Sequence, residues 1–259
     1  MRIRPARPDD YETFARLFLE LESGDPVPER SQFADEIAPG TLVAEDAGAL
    51  GYAYGHLHDG VLHVRHLVTA PEARRRGVGR ALLRAARERA TGAHTWCLNV
   101  KQGNAVALAL YESEGLAVAW ASSAFRFGGD ALAGIAPPAT LGLRTLERPE
   151  EDDVVERAVG LRAGQLALGR ARKREPLALE DGGALAGAAV LDARFPGAFP
   201  FRLARPDLAG PFARLLAARA ARDHLFVTAE DQPEVAAALA AAGGVLRFEL
   251  FHMRGELRR

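Results

Sequence analysis

Two periods of hydrophobic and polar positions alternate along this chain and lay out its elements in order. From Ile3, "IRPARPDDYETFARLFLELE" reads as a short apolar strand, an Arg-Pro pair, an acidic cap and then a helix. The acidic residues suit the first turn of that helix, where the dipole favours negative charge. Further on, "TLVAEDAGALGYAYGHLHDGVLHVRHLVTA" supplies three strands, with Asp59 and Gly60 marking a tight hairpin turn. A helix over Arg80 to Ala90 follows, then "HTWCLNV" as a strand, "NAVALALYESEG" as a helix and "LAVAWASSAFRF" as a closing strand. This order predicts a mixed α/β fold.

The opening pattern returns past the middle of the chain, where "LRTLERPEEDDVVERAVGLRAGQL" from Leu143 repeats the strand, the Arg-Pro, the acidic cap and the helix. Between the copies, "GGDALAGIAPPATLG" is rich in Gly, Ala and Pro and lacks an amphipathic period, as linkers do. The chain therefore reads as two related units, residues 1–130 and 140–259, joined by a linker over 131–139.

Composition narrows the class. Of 259 residues, 48% are hydrophobic and 26% charged, the balance of a globular protein. No apolar run approaches the ~18 to 20 residues of a membrane span, and the charged start lacks the apolar core of a secretory signal, so a cytoplasmic location is expected. The single cysteine, Cys97, can form no internal disulfide. With 33 basic and 34 acidic side chains the net charge is -1, which offers no global attraction for nucleic acid or anionic lipid. Neither is expected as a partner.

One junction concentrates charge all the same. "RRRGVG" sets Arg74, Arg75, Arg76 and Arg80 around Gly77, Val78 and Gly79 at the start of a helix. Glycines let backbone N–H groups approach a ligand, and a helix start collects unpaired donors, so this loop suits a phosphate. The competing reading is a solvated, arginine-rich helix start with glycines that serve packing alone.

A second pattern downstream shifts that balance. In "LNVKQGNAVALALYESEGL" a strand leads to Asn104, Ala107, Tyr111 and a helix-ending Gly115, which resembles the Asn-x-x-Ala-x-x-x-Tyr motif of the GCN5-related N-acetyltransferase (GNAT) superfamily. Arg74, Gly77 and Gly79 are similar to the motif that precedes it in that family, and the resemblance covers residues 1 to about 128. It implies the GNAT fold, and binding of acetyl-CoA with its pyrophosphate on the Arg74 to Gly79 loop. It further implies that the pantothenate arm lies along Leu67, Val68 and Thr69, where a backbone N–H would polarise the thioester carbonyl. Ala107 would let the cofactor pass, Asn104 would bond the arm, and Tyr111 would stand in the general-acid position. Without the resemblance, Tyr111 reads first as a core aromatic with its hydroxyl bonded elsewhere.

The general base is sought in the hairpin. A two-residue turn at Asp59 and Gly60 pairs His58 with Val61 and His56 with His63. Alternation then places Tyr54, His56, His58, His63 and Arg65 on one face, and Leu57, Leu62, Val64 and Val68 on the other, with His66 on the apolar side as a core histidine. His63 is the candidate base, since an imidazole titrating near pH ~6.5 can accept an ammonium proton. A solvated sheet face and zinc binding by His56, His58 and His63 stand beside that reading, the second without a carboxylate or cysteine at ligand spacing. No metal is expected. Cys97, inside an apolar strand, reads as packing.

The second unit repeats the order of elements without these groups. "RPDLAGPF" puts Asp207 and Pro211 at the phosphate loop, Gln232 aligns with Asn104, Gly243 with Gly115, and Leu239 takes the place of Tyr111. The favoured function is transfer of an acetyl group from acetyl-CoA to an amine of a small molecule or protein, in a ternary complex. A non-catalytic acyl-CoA sensor is the alternative, and homodimerisation is left open. The acceptor would be read by loops such as "ESGDPVPERSQFADEIAPG".

Overall fold

A computed structural model of the chain describes residues 1–22, 26–192 and 194–257. They form two compact units: Met1–Ala119 with Phe251–Arg259, and Trp120–Leu250. Residues 131–139, read above as a linker, fall inside the second unit, where Leu132 is buried in the core.

The first unit follows the predicted order. Strand β1 (Arg2–Pro5) leads to helix α1 (Tyr11–Phe18), the short helix α2 (Arg30–Gln32), then strands β2 (Thr41–Glu45), β3 (Ala49–His58) and β4 (Val61–Thr69). Helix α3 (Val78–Arg89), strand β5 (Thr95–Lys101) and helix α4 (Ala105–Ser113) complete it. The strands lie in the order β1-β2-β3-β4-β5, antiparallel as far as β4, with β4 and β5 parallel. Arg4 clasps Asp10 at 2.7 Å, so the acidic cap is tied back to the strand it follows, and Arg4 holds the Asp10 carboxyl below its usual range.

Two faces of this sheet are covered. Phe14, Leu17 and Phe18 of α1 join Phe33, Tyr52 and Val68, while Leu83 of α3 joins Leu62, Val64, Trp96 and Leu98 with Tyr111 of α4. The C-terminal segment returns here: Met253 is fully buried in the second of these clusters. Gly255 fits because a Cβ would come within 2.5 Å of the Gly115 carbonyl and 2.7 Å of Trp96 Nε1.

In the second unit β6 (Ala117–Phe127) and α5 (Gly129–Ala133) precede β7 (Leu141–Thr145), α6 (Asp152–Val159) and α7 (Gln165–Ala171). Strands β8 (Glu175–Asp181), β9 (Ala184–Asp192) and β10 (Gly197–Leu203), helix α8 (Ala209–Arg219), strand β11 (Leu225–Glu230), helix α9 (Pro233–Ala241) and strand β12 (Val245–Glu256) follow, with the residues of β6 before Trp120 and of β12 after Leu250 belonging to the first unit. The order β7-β8-β9-β10-β11 repeats that of the first unit, again with one parallel pair, β10 and β11. The echo extends to the cap, where Arg144 pairs with Glu151 at 2.8 Å.

Candidate functional site

The site grows from the parallel pair of the first unit. Strands β4 and β5 are in register from Val61 opposite Thr95 to Val64 opposite Leu98, and pairing then stops although both strands continue, β4 to Thr69 and β5 to Lys101. A bulge marks the same point: β3 pairs Gly55 with Val64 but Tyr54 with His66, so Arg65 is an extra residue in β4. Bulges bend the strand that carries them. The two strands part, and a cavity of about 740 Å³ lies at the gap.

Residues predicted from sequence converge on it. Leu67, Val68 and Thr69 line it from β4, Arg74, Arg75, Gly77, Val78, Gly79 and Arg80 from the loop and the start of α3, and Asn104, Ala107 and Tyr111 from α4. Arg76 and His63 do not line it. The glycines have separate reasons. Gly77 caps α3 at φ +79, a conformation that L side chains resist, and it leaves the first-turn amides of α3 without intrahelical acceptors. At Gly79 an added Cβ would meet Leu110 at 3.4 Å and Thr69 Oγ1 at 3.6 Å, so a bare backbone keeps β4, α3 and α4 close.

The arginines divide. Arg74 binds Glu20 at 2.6 Å, and Arg80 reaches Ser113 Oγ at 2.9 Å and Glu114 at 3.0 Å. Arg84 and Arg87 also face Glu114, which is buried, so three cations surround one carboxylate and the face stays net positive. Asn104 caps α4: its side-chain oxygen accepts from the Ala107 amide at 3.0 Å, which leaves its NH₂ as the group for a ligand. Tyr111 is nearly enclosed, and burial pushes its hydroxyl up to about 12, so it holds its proton throughout the neutral range.

The cavity has further walls that the motifs do not mark: Glu20, Leu21 and Glu22 after α1, Lys101 at the end of β5, and Val106 and Leu110 of α4. Lys101 stands directly after the predicted strand and was within reach of sequence reasoning. Glu20 to Glu22 lie some fifty residues from the loop they meet, and no local pattern announces that meeting. Of the long acceptor-side segment that starts at Glu22, residues 23–25 lie outside the described residues.

The hairpin is as predicted at its tip, with His58 opposite Val61, His56 opposite His63, and Asp59 and Gly60 both at positive φ. Below the tip the simple alternation fails. The extra residue Arg65 moves His66 and Val68 to the face of Tyr54 and Tyr52, so His66 leaves the Leu62 and Val64 side and Val68 leaves it too. On its new face His66 contacts Tyr54 with ring centroids 5.2 Å apart and Phe18 at 5.5 Å, and its Nδ1 lies 3.3 Å from the Tyr52 hydroxyl. His63 sits where β4 and β5 are still paired, opposite Cys97, whose thiol burial pushes up. Among the described residues no group of three His, Cys, Asp or Glu is placed to hold a metal ion, and no helix is long and apolar enough to cross a membrane.

A parallel pair opens beyond a bulge, and the arginine- and glycine-rich loop, the start of α3 and a nearly enclosed tyrosine line the same cavity. The comparisons give this arrangement a family. Residues 38–115 match the family model described as Acetyltransferase (GNAT) domain. The solved structure of a GCN5-related N-acetyltransferase from Sphaerobacter thermophilus is similar over 100% of this chain and 96% of its own, at 16% identity and a TM-score of 0.67. A tandem GNAT protein from the clavulanic acid biosynthesis pathway is similar over 98% of both chains, at 21% identity and a TM-score of 0.54. No curated protein matches the sequence. Residues 38–115 of the first unit thus match a GNAT domain, and the chain as a whole shares its fold with these two solved structures.

Proposed function

We propose that the first unit is an acetyl-CoA-dependent N-acetyltransferase. The observation that carries this reading is the parting of β4 from β5 beyond Val64 and Leu98, with the Arg74 to Arg80 loop and Tyr111 lining one cavity. The pyrophosphate sits on the first-turn amides of α3, assisted by Arg75 and Arg80, with Arg76 adding charge from beside the loop. The pantetheine arm takes the place of a strand along Leu67, Val68 and Thr69, whose unpaired backbone groups supply its hydrogen bonds. The thioester carbonyl then meets a backbone N–H, a fixed dipole aimed at the charge that develops on attack.

In the chemical step the acceptor amine attacks the carbonyl carbon, the C–S bond breaks, and the sulfur takes a proton as the ammonium nitrogen loses one. Tyr111 is the donor to sulfur. A hydroxyl held at about 12 by burial lies above an ordinary thiol, so Tyr111 does not surrender its proton outright to a thiolate. The hydroxyl therefore acts first as a hydrogen-bond donor to the leaving thiolate, and the proton crosses once the acceptor nitrogen has become positive nearby. Neither His63 nor His66 lines the cavity, but His66 lies beyond the last β4 residue paired with β5 and directly before Leu67, which does line it, so His66 is taken ahead of His63 as the group that accepts the acceptor proton. Its Nδ1 lies 3.3 Å from the Tyr52 hydroxyl, and in the tautomer in which Nδ1–H donates to Tyr52 Oη the proton would be taken at Nε2.

An amine-library screen with detection of free CoA thiol tests the assignment. Turnover with an amine supports the enzyme; saturable acetyl-CoA binding without turnover in any acceptor class would favour the sensor reading. His66→Ala is expected to lower turnover more than His63→Ala, and the reverse order would return the base to His63.

A further inference from the structure

The segment after α1 that lines the cavity is tied by two cations. After α1 a single turn, Leu19–Leu21, ends on Glu22 in the left-handed conformation at φ 48. Glu20, Leu21 and Glu22 all line the cavity. Arg74, on the anion loop, donates to Glu20 Oε2 at 2.6 Å, and Lys101, at the end of β5, donates to the Glu22 carbonyl at 2.7 Å. Both cations line the cavity themselves, Arg74 in the loop that follows β4 and Lys101 as the last residue of β5.

We propose that Arg74 is shared between Glu20 and the donor pyrophosphate, so that the Glu20–Arg74 pair is a latch holding the Leu19–Glu22 strap in the donor-free chain and opening as the donor binds. The proposal rests on the reading of this cavity as the acetyl-CoA site. Arg74 is 55% and Glu20 34% exposed, and ion pairs so open to water are weak. A pyrophosphate brings two charges to the same guanidinium and gains the α3 amides besides, so the competition goes to the phosphate. Glu20 is then left beside phosphate oxygens, and like-charge repulsion drives the strap away from that lip. Lys101 keeps the other end attached, which makes the movement a swing about Glu22. Two consequences follow: donor affinity is held below what the loop alone would supply, and the acceptor side of the cavity is reshaped only when the donor is in place.

Titration calorimetry with CoA on the full chain tests this in a double-mutant cycle. Glu20→Gln is expected to tighten CoA binding about two- to fivefold, the range set by removing one exposed competing pair. Arg74→Ala should weaken binding, and in that background Glu20→Gln should change affinity by less than about 1.5-fold, because the latch has lost its other half. A gain of the same size in both backgrounds would overturn the latch, since Glu20 would then act on the phosphates directly. No gain from Glu20→Gln in the otherwise wild-type chain, or a loss, overturns it as well. If neither the wild-type chain nor any variant binds CoA, the cavity reading fails and the latch with it. Hydrogen exchange in the donor-free chain gives a separate readout: Glu20→Gln should speed exchange of the Leu19–Glu22 amides while α3 stays protected, and unchanged exchange would show that the pair holds nothing.

Discussion

The two units build the same parallel strand pair and finish it differently. In the first, β4 runs five residues past its last partner and β5 three, and the cavity lies in that gap. In the second, β10 and β11 stay paired to Phe201 opposite Ala229, two residues from the end of β10 and one from the end of β11. What remains is closed by a side chain. Gln232 donates to the Leu203 carbonyl at 2.6 Å and accepts from the Leu203 amide at 3.3 Å, so its amide stands in for the next strand residue. Asn104, one methylene shorter, spends its oxygen on its own helix cap instead.

The remaining walls change in step. Val235 is buried where the first unit has Ala107, and Leu239 is fully buried where it has Tyr111. Asp207 is held by Arg205 at 2.6 Å, so the only nearby arginine of that loop already has a carboxylate. The connection after α6 is pinned too: Glu156 accepts from the Gly164 and Leu166 amides at 2.7 Å each, and Arg162, stacked 4.1 Å over Trp120, pairs with Glu230. The comparison teaches that a fold built around an opening can be filled by a few side chains without losing its strand order.

The first way to break this contrast is to remove the phosphate seat. Gly77→Glu, at a position with open space around an added Cβ, is expected to abolish acetyl-CoA binding in calorimetry while the left-handed φ costs only about 1 kcal/mol and circular dichroism stays that of the native chain, and titration of the wild type should give one site per chain. Two sites per chain would make the closed second unit a fiction. Tyr111→Phe comes next, with the ring retained and the proton donor gone: the chemical step should slow by ~10² to 10⁴-fold at nearly constant donor affinity, and a loss under about threefold would reduce Tyr111 to packing.

A smaller effect is expected from moving the second unit's residues into the first. Asn104→Gln with Ala107→Val should weaken CoA binding roughly tenfold, because the longer amide can bridge the strand edge and the added methyl groups narrow the gap; binding at wild-type strength would show that these two positions do not decide openness. The smallest effect is on stability in alkali. Burial raises the folded-state pKa of Tyr111 to about 12, above the ordinary value of 10, so the folded chain keeps a proton that the unfolded chain releases. Its stabilising contribution is full below pH 10 and is lost as pH rises through about 12. Tyr52 shifts in the same direction, also through burial. Tyr111→Phe should therefore reduce, without removing, the fall in denaturation midpoint above pH 10, and an unaltered fall would place the Tyr111 hydroxyl in contact with water.

Much of this was legible in the linear chain because it depends on local rules. Alternation and helical period placed the elements, Asp59 and Gly60 named their own turn, and the repeated Arg-Pro and acidic cap announced two units, since each of these is decided by neighbours within a few residues. The spacing of Arg74, Gly77 and Gly79, and of Asn104, Ala107 and Tyr111, likewise marked residues that share one cavity. What only the tertiary structure decided are matters of register and distance. The extra residue at Arg65 reverses the facing of every residue after it, and a bulge is set by the partner strand rather than by the strand's own pattern. The pairing of Glu20 with Arg74, the three arginines on Glu114 and the bridging of Leu203 by Gln232 join residues that are far apart in the chain, so no local period could contain them. Residues 131–139 carried the composition of a linker, yet Leu132 lies in the core, because burial depends on what packs around a segment and composition records only what the segment contains.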